Sequence, residues 1–107
     1  MKVIKRNGSE VVFDISKIIT AITKANNAVD EAERMTPMQI RRIAEAVELN
    51  CIRMNRAPGV EEIQDLVEKQ LKAHGAYEVA KKYITYRYTR NLVRRSNTTD
   101  ERILSLI

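Results

Sequence analysis

Two short runs rich in Val, Ile and Phe, residues 2–6 and 10–13, open the chain and are separated by Asn7-Gly8. That pattern predicts an antiparallel hairpin, with Asn7 and Gly8 supplying the positive-φ positions of a type I′ turn. Asp14 then stands where an N-cap belongs, ahead of Ile15, Ile18, Ile19 and Ile22 at helical spacing, which predicts a helix from 15 to about 26. "NNAVDEAERM" reads as a loop with room for one helical turn, and Thr36-Pro37 as a cap followed by proline at the first helical position. Ile40, Ile43, Ala44, Val47, Cys51 and Met54 make one clean face of a second helix.

"NRAPG" at 55–59 interrupts the pattern, and Ile63, Leu66, Val67 and Leu71 form a third stripe that stops at Gly75, a natural C′ residue. A fourth helix is expected over 77–96, with Val79, Ala80, Tyr83 and Arg87 on one line and Tyr77, Ile84, Tyr88 and Leu92 on a neighbouring one. The fold class expected is α+β, mostly α: an N-terminal β-hairpin capping a bundle of about four helices. The closing stretch "SNTTDERILSLI" begins small and polar and ends apolar, which has the look of a linker leading out of the domain.

Composition narrows the setting. A chain of 107 residues makes one domain, and 44% hydrophobic with 31% charged residues suits a folded core with solvated helix surfaces. No run is long and apolar enough to span a bilayer or to serve as a signal peptide, so a cytoplasmic chain with no membrane partner is expected. Cys51 is the one cysteine and His74 the one histidine, so neither an internal disulfide nor a zinc site held by side chains is expected. A net charge of +5 points to an anionic partner: nucleic acid, a membrane surface, an acidic protein or a nucleotide.

Catalysis lacks its parts. Cys51 lies on an apolar stripe and reads as a buried thiol, and His74 reads as a cap residue of the third helix. Glu61 and Glu62 are adjacent, project in different directions, and read as first-turn residues that favour the helix dipole. No catalytic residue is assigned. Phosphate binding fares better, although neither G-x-x-x-x-G-K-[ST] nor G-x-G-x-x-G is present. The helix start at 14–18 offers backbone N–H groups to an anion, with Lys17 in its first turn and Lys5 and Arg6 on the strand leading towards it. A cation at a helix start opposes the dipole unless an anion lies between them, which singles out Lys17. Strand alternation would send Lys5 and Arg6 to different faces unless the strand twists or bulges.

Lys81, Lys82, Arg87, Arg90, Arg94 and Arg95 form a second basic concentration, with no acidic residue between 79 and 99 and with Tyr83, Tyr86 and Tyr88 interleaved. Arg and Tyr together suit phosphate contacts and base stacking. Tyr83 shares its line with Val79 and Ala80 and reads as core, whereas Tyr86 and Arg87 remain candidates for a ligand.

Taken in order, a "V-x-KR-x-G" strand, a second strand ending "FD", a first helix opening "ISKI" and a last helix carrying "YITYRYTR" resemble the ATP-cone. This nucleotide-sensing module stands at the N-terminus of many ribonucleotide reductases and in the repressor of their genes. The resemblance covers about residues 2–95. The tail resembles the connection into the catalytic domain of the anaerobic, glycyl-radical ribonucleoside-triphosphate reductase, so 1–95 would be the regulatory domain and 96–107 a linker.

The resemblance implies ATP or dATP bound between hairpin and helices, ATP leaving the reductase active and dATP turning it off through oligomerisation or conformational change. Val3 and Ile18 would border the adenine. Lys5, Arg6 and Lys17 would meet phosphates or base, and Asp14 base or sugar. Val60, Gln64 and Glu68 on the third helix, with Tyr86, Arg87 and Arg90 on the fourth, complete the implied set. Asn7 stands where the family usually has Asp in "KRDG", which leaves the turn intact and a direct ligand contact in question. Mg²⁺ would come with the triphosphate, held by phosphate oxygens and water. The implied partners are adenine nucleotides, the parent's catalytic domain and a second copy of the chain.

Two other classes stand beside this one. A cone from a transcriptional repressor would follow a zinc ribbon needing four cysteines, where this chain opens on the hairpin and has one. A small basic nucleic-acid-binding module would account for the charge and the tyrosines but not for a hairpin followed by a capped helix with Lys17.

Overall fold

The computed structural model describes residues 1–106, with side chains described through Leu92. Strand β1 (Lys2–Ile4) pairs antiparallel with β2 (Glu10–Val12), Val3 opposite Val11. Both strands are shorter than the β-branched runs, because the chain leaves the ladder at Lys5 to turn. Gly8 N donates to Lys5 O at 2.9 Å, Lys5 N donates to Ser9 O at 2.8 Å, and Gly8 alone within the turn has positive φ, +86°. This is a three-residue loop, a type I turn closed by a left-handed glycine, rather than the expected type I′ turn. Asn7 accepts from Ser9 N at 3.0 Å and Ser9 Oγ at 2.7 Å, fixing the turn through its side chain.

The hairpin is joined to the rest by its backbone. Ile4 N donates to Pro58 O at 2.9 Å, and Ile4 bridges in parallel to Gly59, where α3 begins. Helix α1 (Ile15–Asn27) starts at Asp14, whose Oδ1 accepts from Ser16 N at 3.0 Å. A short 3₁₀ turn (Glu31–Glu33) supplies the helical turn expected in the loop. Helix α2 (Pro37–Arg53) opens on a reciprocal cap: Gln39 N donates to Thr36 Oγ1 at 3.2 Å and Thr36 N to Gln39 Oε1 at 2.8 Å. Asn55, with φ +57°, stands at its C′ position.

Helix α3 (Val60–Ala73) ends in a Schellman turn, with Ala76 N donating to Leu71 O at 2.9 Å and Gly75 N to Lys72 O at 3.0 Å. Gly75 at φ +75° makes that reversal without a Cβ penalty. Helix α4 (Tyr77–Leu106) passes Ser96, where it was expected to end, and takes in the stretch read as a linker. No Pro or Gly follows Gly75 to stop it.

The helices close a ring in which α1 packs on α2 and α4, and α3 packs on α2 and α4. Ile22, Ile43, Val47, Val67, Leu71 and Val79 are fully enclosed at its centre, with Cys51 and Tyr83 beside them, as their stripes predicted. Phe13 packs on this core from the hairpin. Buried Asn26 ties α1 to the loop: its Nδ2 donates to Met35 O at 3.0 Å and its Oδ1 accepts from Met35 N at 2.7 Å. Among the described residues no helix is long and apolar enough to cross a membrane.

Candidate functional site

A cleft with two lobes lies where the hairpin meets α1, α3 and α4. The larger lobe, about 400 Å³, has walls of Val3, Val11, Phe13, Ile18, Val60 and Ile63, with Lys5, Asp14, Lys17, Gln64 and Arg90 at its polar side. The smaller, about 300 Å³, is lined by Arg6, Tyr86 and Arg87 and shares Lys17, Ala21, Gln64, Tyr83 and Arg90 with the first. Both volumes suit a small organic ligand. An apolar slot opening onto cations fits a flat apolar body that carries an anionic tail.

The fold thus gathers Val3, Lys5, Arg6, Asp14, Lys17, Ile18, Val60, Gln64, Tyr86, Arg87 and Arg90 around one cleft, from positions up to 87 residues apart (90 − 3) in sequence. Lys5 and Arg6 do not alternate as strand residues would. Both stand in the turn beyond β1, Lys5 at the larger lobe and Arg6 at the smaller. Asn7 and Glu68 are not among the lining residues. Asn7's oxygen serves Ser9, and Glu68 serves Arg87. Tyr83, read as core, is buried and also forms the floor of both lobes; burial pushes its hydroxyl up to about 12.

The helix start offers an anion less than expected. Asp14 accepts from the Ser16 hydroxyl at 2.6 Å as well as from its amide, and those bonds hold its carboxyl below the usual range. Lys17 N donates to Asp14 O at 3.2 Å, so the Ser16 and Lys17 amides of the first turn are already partnered. Attraction for an anion therefore rests on side chains. Among the described residues Lys5, Lys17 and Arg90 pair with no carboxylate, and Lys17 and Arg90 line both lobes. The Arg90 guanidinium stands 5.9 Å from the Tyr86 ring centre, within cation–π range.

Arg6 and Arg87 are already engaged. Arg87 Nη1 donates to Asp65 Oδ1 at 2.8 Å and Glu68 Oε1 at 2.9 Å, and its Nη2 pairs with Glu61 Oε2. Burial draws the Arg87 guanidinium down most strongly of any single influence, but its hydrogen bonds to Asp65, Glu61 and Glu68 together outweigh it and hold it above its ordinary value. Arg6 Nη2 lies 3.0 Å from Glu61 Oε1 and 3.2 Å from Gln64 Oε1, while Nη1 donates to Asn91. Sequence reading missed Glu61, Asp65 and Asn91 because nothing local pairs them with the arginines. His74 is the exposed C-cap of α3, its Nδ1 2.8 Å from Gln70 O, and Cys51 is buried, both as read. Among the described residues no group of three His, Cys, Asp or Glu is disposed to hold a metal.

Residues 1–92 match the family described as the ATP cone domain, and the chain belongs to that family. Its relatives are ribonucleotide reductases of several kinds. The chain is 39% identical over 108 residues to the ribonucleoside-diphosphate reductase subunit alpha of Chlamydia trachomatis, covering 94% of this chain and 10% of that protein. It is 40% identical over 104 residues to the anaerobic ribonucleoside-triphosphate reductase of Haemophilus influenzae, covering 92% and 14%. With the vitamin B12-dependent ribonucleoside-diphosphate reductase of Thermoplasma acidophilum it shares 36% over 103 residues, 87% of this chain and 12% of that one. The chain therefore spans about a tenth to a seventh of the length of these curated relatives.

Proposed function

We propose that this chain is the allosteric sensor of a ribonucleotide reductase, binding ATP or dATP in the two-lobed cleft and passing its state to a catalytic domain beyond the linker at 96–107. The observation that carries this reading is the position of Lys17 and Arg90, cations with no carboxylate partner among the described residues, at the seam between an apolar lobe and a cationic one. The adenine lies in the larger lobe against Val3, Ile18 and Val60, with Lys5 and Asp14 at its edge. The phosphates run past Lys17 towards Arg90 and Arg6, with Tyr86 and Arg87 behind them. Lys5 thus serves the nucleoside end and Arg6 the phosphate end. Mg²⁺ travels with the triphosphate, coordinated by phosphate oxygens and water.

Sensing ATP against dATP means reading one hydroxyl. Differential binding to two states of the parent enzyme, on the order of 1–3 kcal/mol, changes affinity roughly 5- to 150-fold and suffices for a switch. The switch acts through oligomerisation or a conformational change, with the catalytic domain and further copies of the chain as partners. The anaerobic triphosphate reductase as parent is supported by the tail's resemblance and by the Haemophilus relative, whereas most of the relatives are diphosphate reductases. Calorimetric titration with ATP, dATP and GTP, with and without Mg²⁺, tests the reading. Saturable binding of ATP and dATP in preference to GTP is expected. Absence of adenine-nucleotide binding below about millimolar, a range of weak affinity worth roughly 4 kcal/mol, together with salt-sensitive binding to DNA would overturn it.

A further inference from the structure

Glu61 bridges two arginines from opposite ends of the chain. One carboxylate oxygen lies 3.0 Å from Arg6 Nη2 on the hairpin turn, and the other pairs with Arg87 Nη2 on α4. Both arginines line the smaller lobe, and Glu61 does not. We infer that Glu61 is an internal counter-anion that holds Arg6 and Arg87 until the phosphate chain of a ligand displaces it, so that binding exchanges the ion pair between the hairpin turn and α3 for contacts to the ligand. This inference rests on the reading of the smaller lobe as a phosphate site.

The two arginines are not held alike. Arg87 keeps Asp65 and Glu68 when Glu61 lets go, and its side chain is only 14% exposed, so it stays in place. Arg6 has Glu61 as its one carboxylate among the described residues, and its other partners, Gln64 and Asn91, are neutral amides. A phosphate, which carries charge and can accept from a guanidinium through two oxygens as a carboxylate does, is a direct replacement for Glu61. Exchange of that kind makes the ligand's affinity the difference between two anions competing for the same donors. It also couples the phosphate site to the tie between the turn at residues 5–9 and the start of α3.

The sign of one substitution separates competition from support. In E61Q the amide cannot neutralise Arg6, and Arg6 becomes free for phosphate; a merely structural Glu61 would instead lower affinity when lost. Calorimetric titration of the 107-residue chain with sodium tripolyphosphate, and separately with ATP, should show E61Q binding the polyphosphate about 5-fold tighter than the unaltered chain, the scale of one partly exposed ion pair. E61D, which withdraws the carboxylate by one methylene, should fall between them and serves if E61Q is poorly folded.

E45Q removes the same charge from the Arg41–Glu45 pair on α2, which contributes nothing to the cleft, and should leave affinity nearly unchanged. Equal or weaker polyphosphate binding by E61Q and E61D, an equal gain in E45Q, or no polyphosphate binding by any of them would overturn the inference. A chain that takes tripolyphosphate as tightly as ATP, with E61Q tighter still, upholds the role of Glu61 and removes the adenine reading of the larger lobe instead.

Discussion

Replacing Arg87 with alanine removes the one cation shared by Glu61, Asp65 and Glu68, and the cost follows from how wet each carboxylate is. A hydrogen bond to a charged group contributes roughly 1.5–3 kcal/mol when its loss leaves the partner dry. Glu61 and Asp65 are 52% and 68% exposed, so water takes the place of the guanidinium and each loss falls to at most about 1 kcal/mol. Glu68 is only 21% exposed and keeps the larger penalty, about 1.5–2 kcal/mol. R87A is therefore expected to be less stable by about 3 kcal/mol, a large part of what a domain of this size has to lose. Urea unfolding followed by far-ultraviolet circular dichroism measures it. The deficit should shrink as salt is raised, because the uncompensated carboxylates on α3 then repel one another less. R87K keeps the charge but not the fork and should recover part of the loss. A deficit under about 1 kcal/mol, the range of an ordinary surface pair, would refute the claim that this cluster braces α3 against α4.

Three further outcomes are expected. N26A leaves Met35 N–H and C=O without their side-chain partner and should cost about 2 kcal/mol in the same unfolding assay, and the similarly sized N26L should not recover it, because the lost bonds, not the volume, decide it. Glu62 is held at about 2 by the Arg56 guanidinium and the Gly59 amide, below its ordinary 4.5, so its contribution is full above pH 4.5 and is lost as pH falls towards 2. Thermal melts across that window should show a shallower acid limb for E62Q than for the unaltered chain. K17A removes a cation that lines both lobes and should weaken ATP binding about 10-fold in calorimetry, a change of roughly 1.4 kcal/mol, while melting at nearly the same temperature.

The caps and stripes were legible in the sequence because they are local: Asp14 before four isoleucines, Thr36-Pro37 and Gly75 each act within one helical turn. Asn7-Gly8 announced a reversal but not its type, since the pair serves equally as the centre of a type I′ turn or as the last two positions of a three-residue loop. That choice decided where Lys5 and Arg6 point, and alternation along a strand was the wrong rule for residues already in the turn. The candidate site was legible as a set of residues more than as an arrangement. Glu61 looked like a residue favouring its own helix dipole because Arg6 lies 55 positions before it and Arg87 lies 26 after it (61 − 6 and 87 − 61), distances that no periodicity links. Asn26 gave no signal either, since a polar residue at the end of a helix ordinarily faces water.

Whether one cleft between hairpin, α1, α3 and α4 receives an adenine nucleotide is decided by titrating the ¹⁵N-labelled chain with dATP and Mg²⁺ and following its amide chemical shifts. Saturating shifts are predicted at residues 3–6, 14–21, 60–64 and 83–91, with α2 unmoved. Shifts centred on α2, or none at millimolar nucleotide, would mean that the cleft is not the nucleotide site.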